Sequence, residues 1–290
     1  MDKLTTPVPF WRLSGMSATT PDLVHTDSTV LEDGCSATTP AGDNIVLDSV
    51  RAMAFGYAAL HGANGNRVFV CPEGSLTMTD SGSLSPFGNL TYLLQPIHGR
   101  AADLAAALGG FYGAGVGGPF LILSPWPTGD LRGIGLAPVG HPPLMVRWRP
   151  AAAVPTDLTV RAVSSATEVR DFERTLIEGY PVRELWPYLP GSLVSAAILD
   201  TAWTLVVGYL DNEPVACAAS YRTASATLIE MVATRPEFRG RGYGAAITAA
   251  AADVDASVPA VLIASDDGQG AYERLGFRRI SRFTLWLGTR

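Results

Sequence analysis

Apolar residues recur at helical and strand spacings through the first part of the chain. Residues 44–61 carry apolar side chains every three or four positions, which predicts an amphipathic helix. Ala101–Tyr112 predicts a second helix. Short apolar runs between turn residues predict four strands, at Arg67–Cys71, Ser75–Thr79, Leu90–Gln95 and Phe120–Ser124. Residues 1–43 are rich in Thr, Ser, Pro and Asp without such spacing, so we expect an irregular N-terminal arm.

The second part of the chain shows the same mixture after a Pro- and Ala-rich segment, 149–155, that predicts a linker. Three strand-like runs, Trp203–Tyr209, Pro214–Tyr221 and Thr227–Thr234, are separated by spacers short enough for hairpins, so we expect them to be antiparallel. The other predicted elements are a strand at 158–162, a helix at 167–179, a Pro-broken helical region at 183–199, a helix at 243–254, a strand at 260–264, a helix at 269–275 and a strand at 281–287. The pattern as a whole predicts a mixed α/β fold.

The chain also resembles itself. Residues 120–148 align with 261–289 without gaps at a constant offset of 141. Leu121–Ser124 then meets Leu262–Ser265, and the glycines that precede the last apolar strand of each segment coincide. Any strand–helix–strand unit has this general pattern and the identities are few, but the shared register favours a duplicated unit. We therefore expect two related halves, 44–150 and 156–290.

Composition and charge narrow the class of protein. The chain has 290 residues, 47% of them hydrophobic and 17% charged, which excludes a disordered protein. A net charge of −6 argues against a broad nucleic-acid-binding surface. We expect neither a membrane span nor a secretory signal, because the chain lacks a long apolar run and its first 30 residues lack an apolar core. Cys35, Cys71 and Cys217 form no CxxC pair, which argues against a zinc site and fits a reducing cytoplasm.

The segment with the most specific chemistry is IEMVATRPEFRGRGYGAAIT, residues 229–248. A strand ends at Thr234, and glycines at 240, 242 and 244 lead into an alanine-rich helix. Such glycines let backbone N–H groups converge on one point, and the N-terminus of the following helix favours negative charge. Arg239 and Arg241 add two positive charges. The segment therefore predicts a cradle for a pyrophosphate.

Three other interpretations of this loop were weighed. A P-loop requires a lysine that is missing here, so it is excluded. The dinucleotide-binding fingerprint is formally matched by Gly240-x-Gly242-x-x-Ala245, but it requires a parallel βαβ unit and a later acidic residue, whereas the strands before Thr234 are predicted to be antiparallel. A glycine-rich turn with solvated arginines stays open.

Two motifs together resemble one family. Arg239, Gly242 and Gly244 form R-x-x-G-x-G after V-A-T-x-P, which resembles the GNAT superfamily of acetyl-CoA-dependent N-acyltransferases. Ala271–Phe277, AYERLGF, is similar to that family's helix in which a tyrosine precedes L-G-F. The resemblance covers about residues 157–288 and implies a GNAT-like fold there. The first half lacks R-x-x-G-x-G, so it is expected to be a degenerate GNAT-like half that binds no cofactor.

The resemblance implies direct acetyl transfer in a ternary complex, from acetyl-CoA to a primary amine on a small molecule or peptide, without a metal, nucleic acid or membrane. A non-catalytic acyl-CoA-binding or sensor protein and a transferase for a larger acyl group are the alternatives, and homodimerisation is left open. By resemblance, backbone groups hold the pantetheine arm and the pyrophosphate. The residues implied to bind CoA are Val232, Ala233, Thr234, Arg239, Gly240, Arg241, Gly242, Tyr243, Gly244 and Ala245.

Two residues are implied to be catalytic. Tyr272 matches the family's tyrosine that protonates the departing thiolate, a reasonable donation for a phenol of pKa about 10, although it could instead be a core tyrosine. Glu230 lies on the strand before the loop, where alternation places it on one face with Leu228 and Val232. Burial there would raise its pKa toward that of a general base, whereas a solvated sheet edge would not.

The acceptor site is less well specified by the sequence. Within 181–194, Trp186, Tyr188 and Pro190 could line a pocket for the amine or could equally pack against the first half. Asp266 and Asp267 could attract a cationic amine, and the further candidates are Glu178 and Glu184. None of the four histidines is assigned a role.

Overall fold

A computed structural model describes residues 44–97, 99–150, 153–180, 185–266 and 268–290. These residues form thirteen strands in two mixed sheets together with five α-helices. The predicted α/β class is therefore confirmed. The arm predicted at 1–43 lies outside the described residues.

The first half begins with a capped helix. The Asn44 side chain accepts hydrogen bonds from the N–H groups of Val46 and Leu47, which starts the helix at Ile45. The helix α2 and the strand β4 have the bounds that the sequence predicts. The elements are α1 (Ile45–Ala63), β1 (Arg67–Val70), β2 (Leu76–Asp80), β3 (Asn89–Leu93), α2 (Ala101–Tyr112), β4 (Phe120–Ser124), β5 (Ala137–Gly140) and β6 (Pro143–Arg147).

The second half differs from prediction in two places. The last predicted strand, 281–287, is two strands, at Arg278–Arg282 and Thr284–Gly288. The predicted helical region 183–199 contains no α-helix in its described part, which ends in a 3₁₀ turn at Ala196–Asp200. The elements are β7 (Thr159–Ala162), α3 (Ala166–Gly179), β8 (Trp203–Leu210), β9 (Glu213–Arg222), β10 (Thr227–Thr234), α4 (Tyr243–Ala252), β11 (Ala260–Ile263), α5 (Gln269–Arg274), β12 (Arg278–Arg282) and β13 (Thr284–Gly288).

The two sheets have six and seven strands, in the orders β1-β2-β3-β4-β13-β5 and β12-β6-β11-β10-β9-β8-β7. The strands β8, β9 and β10 are antiparallel neighbours, as their short connections predict. β10 and β11 are parallel and are joined through α4. The antiparallel neighbours therefore do not by themselves exclude the dinucleotide-binding interpretation of the loop, because one parallel βαβ unit is present.

The two halves exchange their last strands. β6 lies between β11 and β12 in the seven-stranded sheet, and β13 lies between β4 and β5 in the six-stranded sheet. Residues 143–147 and 284–288, which form these strands, coincide at the offset of 141 seen in the sequence. Each sheet therefore contains one strand from the other half. The division into two domains, 44–150 and 156–290, remains a prediction from the sequence.

Candidate functional site

The strands β10 and β11 separate where the predicted site begins. Their pairing covers Thr227 with Ala260 and Leu228 with Val261, after which β10 continues to Thr234. A bulge between Glu230 and Ala233 shifts the register of β10 against β9. Bulges bend the strand that contains them, so this one turns the end of β10 away from its parallel neighbour.

The bulge also changes which side chains share a face. Leu228 packs in the core cluster that includes α1, and Glu230 faces α1 as well, so these two residues share a face as predicted. Val232 packs against the other cluster, and the expectation that it joins them is wrong. Met231 has a φ of +52°, which interrupts the strand alternation on which the expectation was based.

A cavity of about 550 Å³ occupies the gap and extends between the two halves. Five consecutive residues of β10, 230–234, line it, together with Arg239, Ser265 and Tyr272. The opposite wall comes from α1, β3 and β4 of the first half. The volume is that of a site for a small molecule, and Val232, Ala233 and Thr234 lie at it.

Glu230 is enclosed at the centre of the molecule. Its partial exposure is to the cavity, and the Tyr57 hydroxyl donates a hydrogen bond to its Oε2 atom at 3.1 Å. Burial raises the pKa of Glu230 to about 7, while hydrogen bonds from Tyr57 and from the Met231 backbone partly oppose the rise. β10 is an inner strand of its sheet, so the alternative of a solvated sheet edge is wrong.

Tyr272 lies on α5 and lines the same cavity. Its ring meets Phe277 edge to face, with centroids 6.0 Å apart. Burial, and then the charge of Glu230, raises the pKa of Tyr272 to about 12. The phenol therefore keeps its proton at neutral pH.

The glycine loop leaves room for a ligand. Gly240 and Gly242 have φ of +79° and +83°, and no atom lies within 4 Å of a Cβ built at either position. Gly242 caps α4 without a side-chain hydrogen bond, so the N–H groups of the first turn keep their capacity to bind an anion. The Tyr243 ring is buried and its hydroxyl donates to Asp157 at 3.3 Å, which leaves only its backbone for the loop.

The two arginines of the loop have different surroundings. Arg239 donates from Nε to the Thr234 carbonyl at 3.2 Å and from Nη2 to the Gly179 carbonyl at 2.7 Å. It thereby ties the loop to β10 and α3. Arg241 is exposed and stacks over the Phe238 ring at 5.5 Å. Both arginine side chains are exposed, so both charges face solvent at the loop.

The residues proposed for the acceptor site are mostly elsewhere. Trp186 is 52% exposed, and Tyr188 donates a hydrogen bond to the Arg170 carbonyl. The described residues of 181–194 that line the cavity are instead Leu185, Ser192 and Leu193, so the pocket-lining alternative for Trp186, Tyr188 and Pro190 does not hold for this cavity.

Of the additional carboxylates, the described Glu178 and Asp266 do not line the cavity. Glu178 pairs with Arg174 and Arg235 at 2.7 and 3.0 Å. Asp266 is exposed, 3.8 Å from Arg282. Asp267 and Glu184 lie outside the described residues.

Three residues of the first half were missed as site residues. Tyr57, His61 and Tyr92 line the cavity, and the Tyr57 and Tyr92 rings lie 5.8 Å apart. Burial lowers the pKa of His61 to about 4, so its ring is neutral at physiological pH. Tyr57 sits at helical spacing among apolar residues and has the pattern of a core residue. Its contact with Glu230 spans 173 positions of sequence, and no local signal reveals it.

The described residues contain neither a candidate metal-binding cluster nor a candidate membrane-spanning helix. No group of three or more His, Cys, Asp or Glu side chains there is arranged to hold a metal ion. None of the described helices combines the length and apolarity needed to cross a membrane.

Comparison with known proteins finds a family match for part of the chain and similar folds for most of it. Residues 201–279 match the family model of the acetyltransferase (GNAT) domain. A GCN5-related N-acetyltransferase from Kribbella flavida is similar in structure, with 20% identity, a TM-score of 0.58, and coverage of 83% of this chain and 95% of that one. A protein described as a GNAT-family acetyltransferase, from Novosphingobium aromaticivorans, has 20% identity and a TM-score of 0.51 over 75% and 89% of the chains.

A conserved protein of unknown function from Staphylococcus epidermidis has 17% identity and a TM-score of 0.53 over 71% and 87% of the chains. No match was found among the curated proteins. At these identities the likenesses show the fold, which extends over both halves, while the family model marks the acyltransferase domain. Residues 201–279 therefore match a GNAT acetyltransferase domain, and the fold of the chain is similar to that of a GCN5-related N-acetyltransferase.

Proposed function

We propose that this protein is an N-acetyltransferase that moves an acetyl group from acetyl-CoA to a primary amine by direct attack in a ternary complex. One observation carries the proposal. Glu230, with its pKa raised to about 7, faces a cavity at the point where β10 separates from β11. A buried carboxylate with a pKa near the working pH is suited to take a proton from an attacking amine.

The loop supports the choice of CoA as the acyl carrier. The left-handed glycines, the uncapped first turn of α4 and the exposed Arg241 together suit a pyrophosphate. The end of β10, Val232–Thr234, offers backbone groups for the pantetheine arm to pair with. CoA supplies the acyl group as a thioester, and this chain supplies the binding and the proton transfers.

The side chains divide the proton transfers between them. Glu230 accepts a proton from the amine, directly or through water, while the Tyr57 hydroxyl keeps its carboxylate in place. A backbone N–H of Val232–Thr234 stabilises the developing oxyanion. Tyr272, which is protonated at neutral pH, donates to the departing thiolate.

We further propose that only the second half binds CoA. R-x-x-G-x-G occurs only there, at residues 239–244. The first half then serves as a degenerate partner that closes the acceptor side of the cavity with α1, β3 and β4.

The experiment that tests the function combines turnover with binding. Purified protein with acetyl-CoA and a panel of amines should release free thiol and form the acetylated amine. Glu230→Gln keeps the size of the side chain and removes the base, so kcat/KM should fall about 10²–10⁴-fold while the Kd for CoA is nearly unchanged. Glu273→Gln on the exposed face of α5 is the matched control and should behave as the parent does.

The two alternatives give different results. Tight CoA binding without acceleration of thiol release by any amine would contradict the proposal and favour a binding or sensor protein. A higher kcat/KM with longer acyl-CoA donors than with acetyl-CoA would favour transfer of a larger group.

A further inference from the structure

The first-half wall of the cavity is mainly apolar and aromatic. Tyr57 and Tyr92 face it from α1 and β3, and Leu60, Leu90, Leu121 and Leu123 fill the surface between them. The two tyrosine rings lie 5.8 Å apart and are tilted by 31° to each other. Rings at this separation form a surface on which a flat or aliphatic group can pack.

The charges at the cavity are few and lie on the second half. Of the described lining residues, only Arg239 and the partly ionised Glu230 carry charge at neutral pH, because His61 is neutral there. Arg239 already donates to two backbone carbonyls. The described first-half wall thus holds no cation to pair with a carboxylate or phosphate and no second anion to pair with another ammonium group.

Small polar groups form a separate part of the wall, in the loop between β2 and β3. Ser81, Ser83 and Ser85 line the cavity there. The Ser81 and Ser83 hydroxyls accept hydrogen bonds from the N–H groups two residues later, at 3.2 and 3.0 Å. The Ser81 hydroxyl donates to Asn89 Oδ1 at 3.5 Å, whereas the Ser83 hydroxyl can still donate to an uncharged acceptor atom of a ligand.

We propose that the acceptor is a primary amine on an uncharged, mainly apolar or aromatic body that binds between the two halves. Its amine meets Glu230, its body packs on Tyr57, Tyr92 and the leucines of the first half, and its far end reaches the serine loop at 81–85. An additional charge on the acceptor would be desolvated without a partner among the described lining residues, which costs far more than an apolar contact returns. This inference rests on the proposed function and names its substrate class.

Three amines separate this class from others. 2-Phenylethylamine carries one amine on an apolar body, phenylalanine adds a carboxylate to the same body, and spermidine adds further ammonium groups. We expect kcat/KM for 2-phenylethylamine to exceed both others by about 100-fold, since each extra charge lacks a partner. The Kd of each amine for the CoA-bound protein, measured by calorimetry, should follow the same order.

The calorimetry keeps this inference separate from the proposed function. If none of the amines is acetylated, the proposed function fails, and the order of the three Kd values still decides the substrate class. Equal or better binding of phenylalanine or spermidine would overturn the inference, as would the absence of any 2-phenylethylamine binding at millimolar concentration.

A substitution in the serine loop tests the position of the acceptor body. Ser83→Asp keeps an acceptor for the Ser85 N–H group and adds a carboxylate to the wall. It should raise the preference for spermidine over 2-phenylethylamine about tenfold relative to Ser83→Asn, which has the same size without the charge. Identical selectivity in the two variants would show that the acceptor does not reach this wall, contrary to the proposal.

Discussion

The two halves contain corresponding strand pairs that behave differently. β3 and β4 are parallel and pair at three successive positions, from Leu90 with Leu121 to Tyr92 with Leu123. β10 and β11 are also parallel, but only two positions of the eight-residue β10 are paired with β11. The bulge and the left-handed Met231 occur in β10. Both halves therefore contain a parallel strand pair of this kind, and the bulge in β10 accounts for the gap between β10 and β11.

A side chain covers the corresponding end of the first pair. Trp126 is buried, and its indole N–H donates a hydrogen bond to the carbonyl of Leu93, the last residue of β3, at 3.1 Å. Both α2 and α4 begin without a side-chain cap, so a helix N-terminus alone does not distinguish the halves. The halves are distinguished instead by the open strand pair of β10 and β11 and by the glycine loop at 239–244.

The largest expected effect comes from a charge placed in the first turn of α4. Gly244 is helical, and a Cβ added there meets only the Thr234 hydroxyl at 3.5 Å, so Gly244→Asp should preserve the fold. Gly242 is less suitable, because its φ of +83° would strain any side chain. A carboxylate beside a pyrophosphate should weaken CoA binding about 100-fold or more, as measured by calorimetry.

Two controls sharpen this test. Gly244→Asn has the same size without the charge and should lose far less affinity. Ala102→Asp places the same charge at the corresponding exposed position of α2 and should leave the Kd unchanged, with one CoA bound per chain. A stoichiometry of two, or a loss of affinity in Ala102→Asp, would contradict the difference between the halves.

The next effect concerns the proton donor. Tyr272→Phe keeps the ring contact with Phe277 and removes the hydroxyl, so kcat should fall about 100-fold with the Kd for CoA nearly constant. We expect the lower end of the usual range because a pKa of about 12 makes the phenol a weak acid. Near-normal turnover accompanied by a lower melting temperature would instead mark Tyr272 as a structural residue.

Sequence patterns predict most elements of this fold but not their partners. The bounds of α2 and β4 were predictable because each is a single periodic or apolar run. The exchange of β6 and β13 between the sheets could not be predicted. Periodicity shows that a strand is half-buried, but it does not show to which sheet the strand belongs. The loop glycines were predictable from spacing. The bulge was not, since a positive φ at a methionine has no sequence signal.

A smaller effect is expected from the contact that Tyr57, in the first half, makes with Glu230, the proposed general base. The Tyr57 hydroxyl stabilises the charged form of Glu230, so Tyr57→Phe should raise the pKa of Glu230 further above its ordinary value. Catalysis needs the carboxylate, so the acidic limb of the pH–rate profile should move up by about one to two pH units. Activity near pH 7 should then fall about tenfold or more and largely recover in alkaline solution. A uniform loss at every pH would show that Tyr57 acts on the acceptor rather than on Glu230.

The smallest effect on turnover is expected from a change at Trp126, which covers the end of the strand pair β3 and β4 in the first half. Trp126→Phe removes the hydrogen bond to the Leu93 carbonyl but leaves an aromatic ring in the buried position. The free energy of unfolding should fall by about 1–3 kcal/mol, because a buried carbonyl loses one of its donors. Because β3 and β4 remain paired at three positions and the first half lacks R-x-x-G-x-G, kcat/KM should stay within about twofold and one CoA should still bind per chain. Thermal unfolding and a CoA titration on the same sample measure both quantities. The appearance of a second CoA site would mean that the indole, rather than the regular pairing of β3 with β4, is what keeps the first half closed.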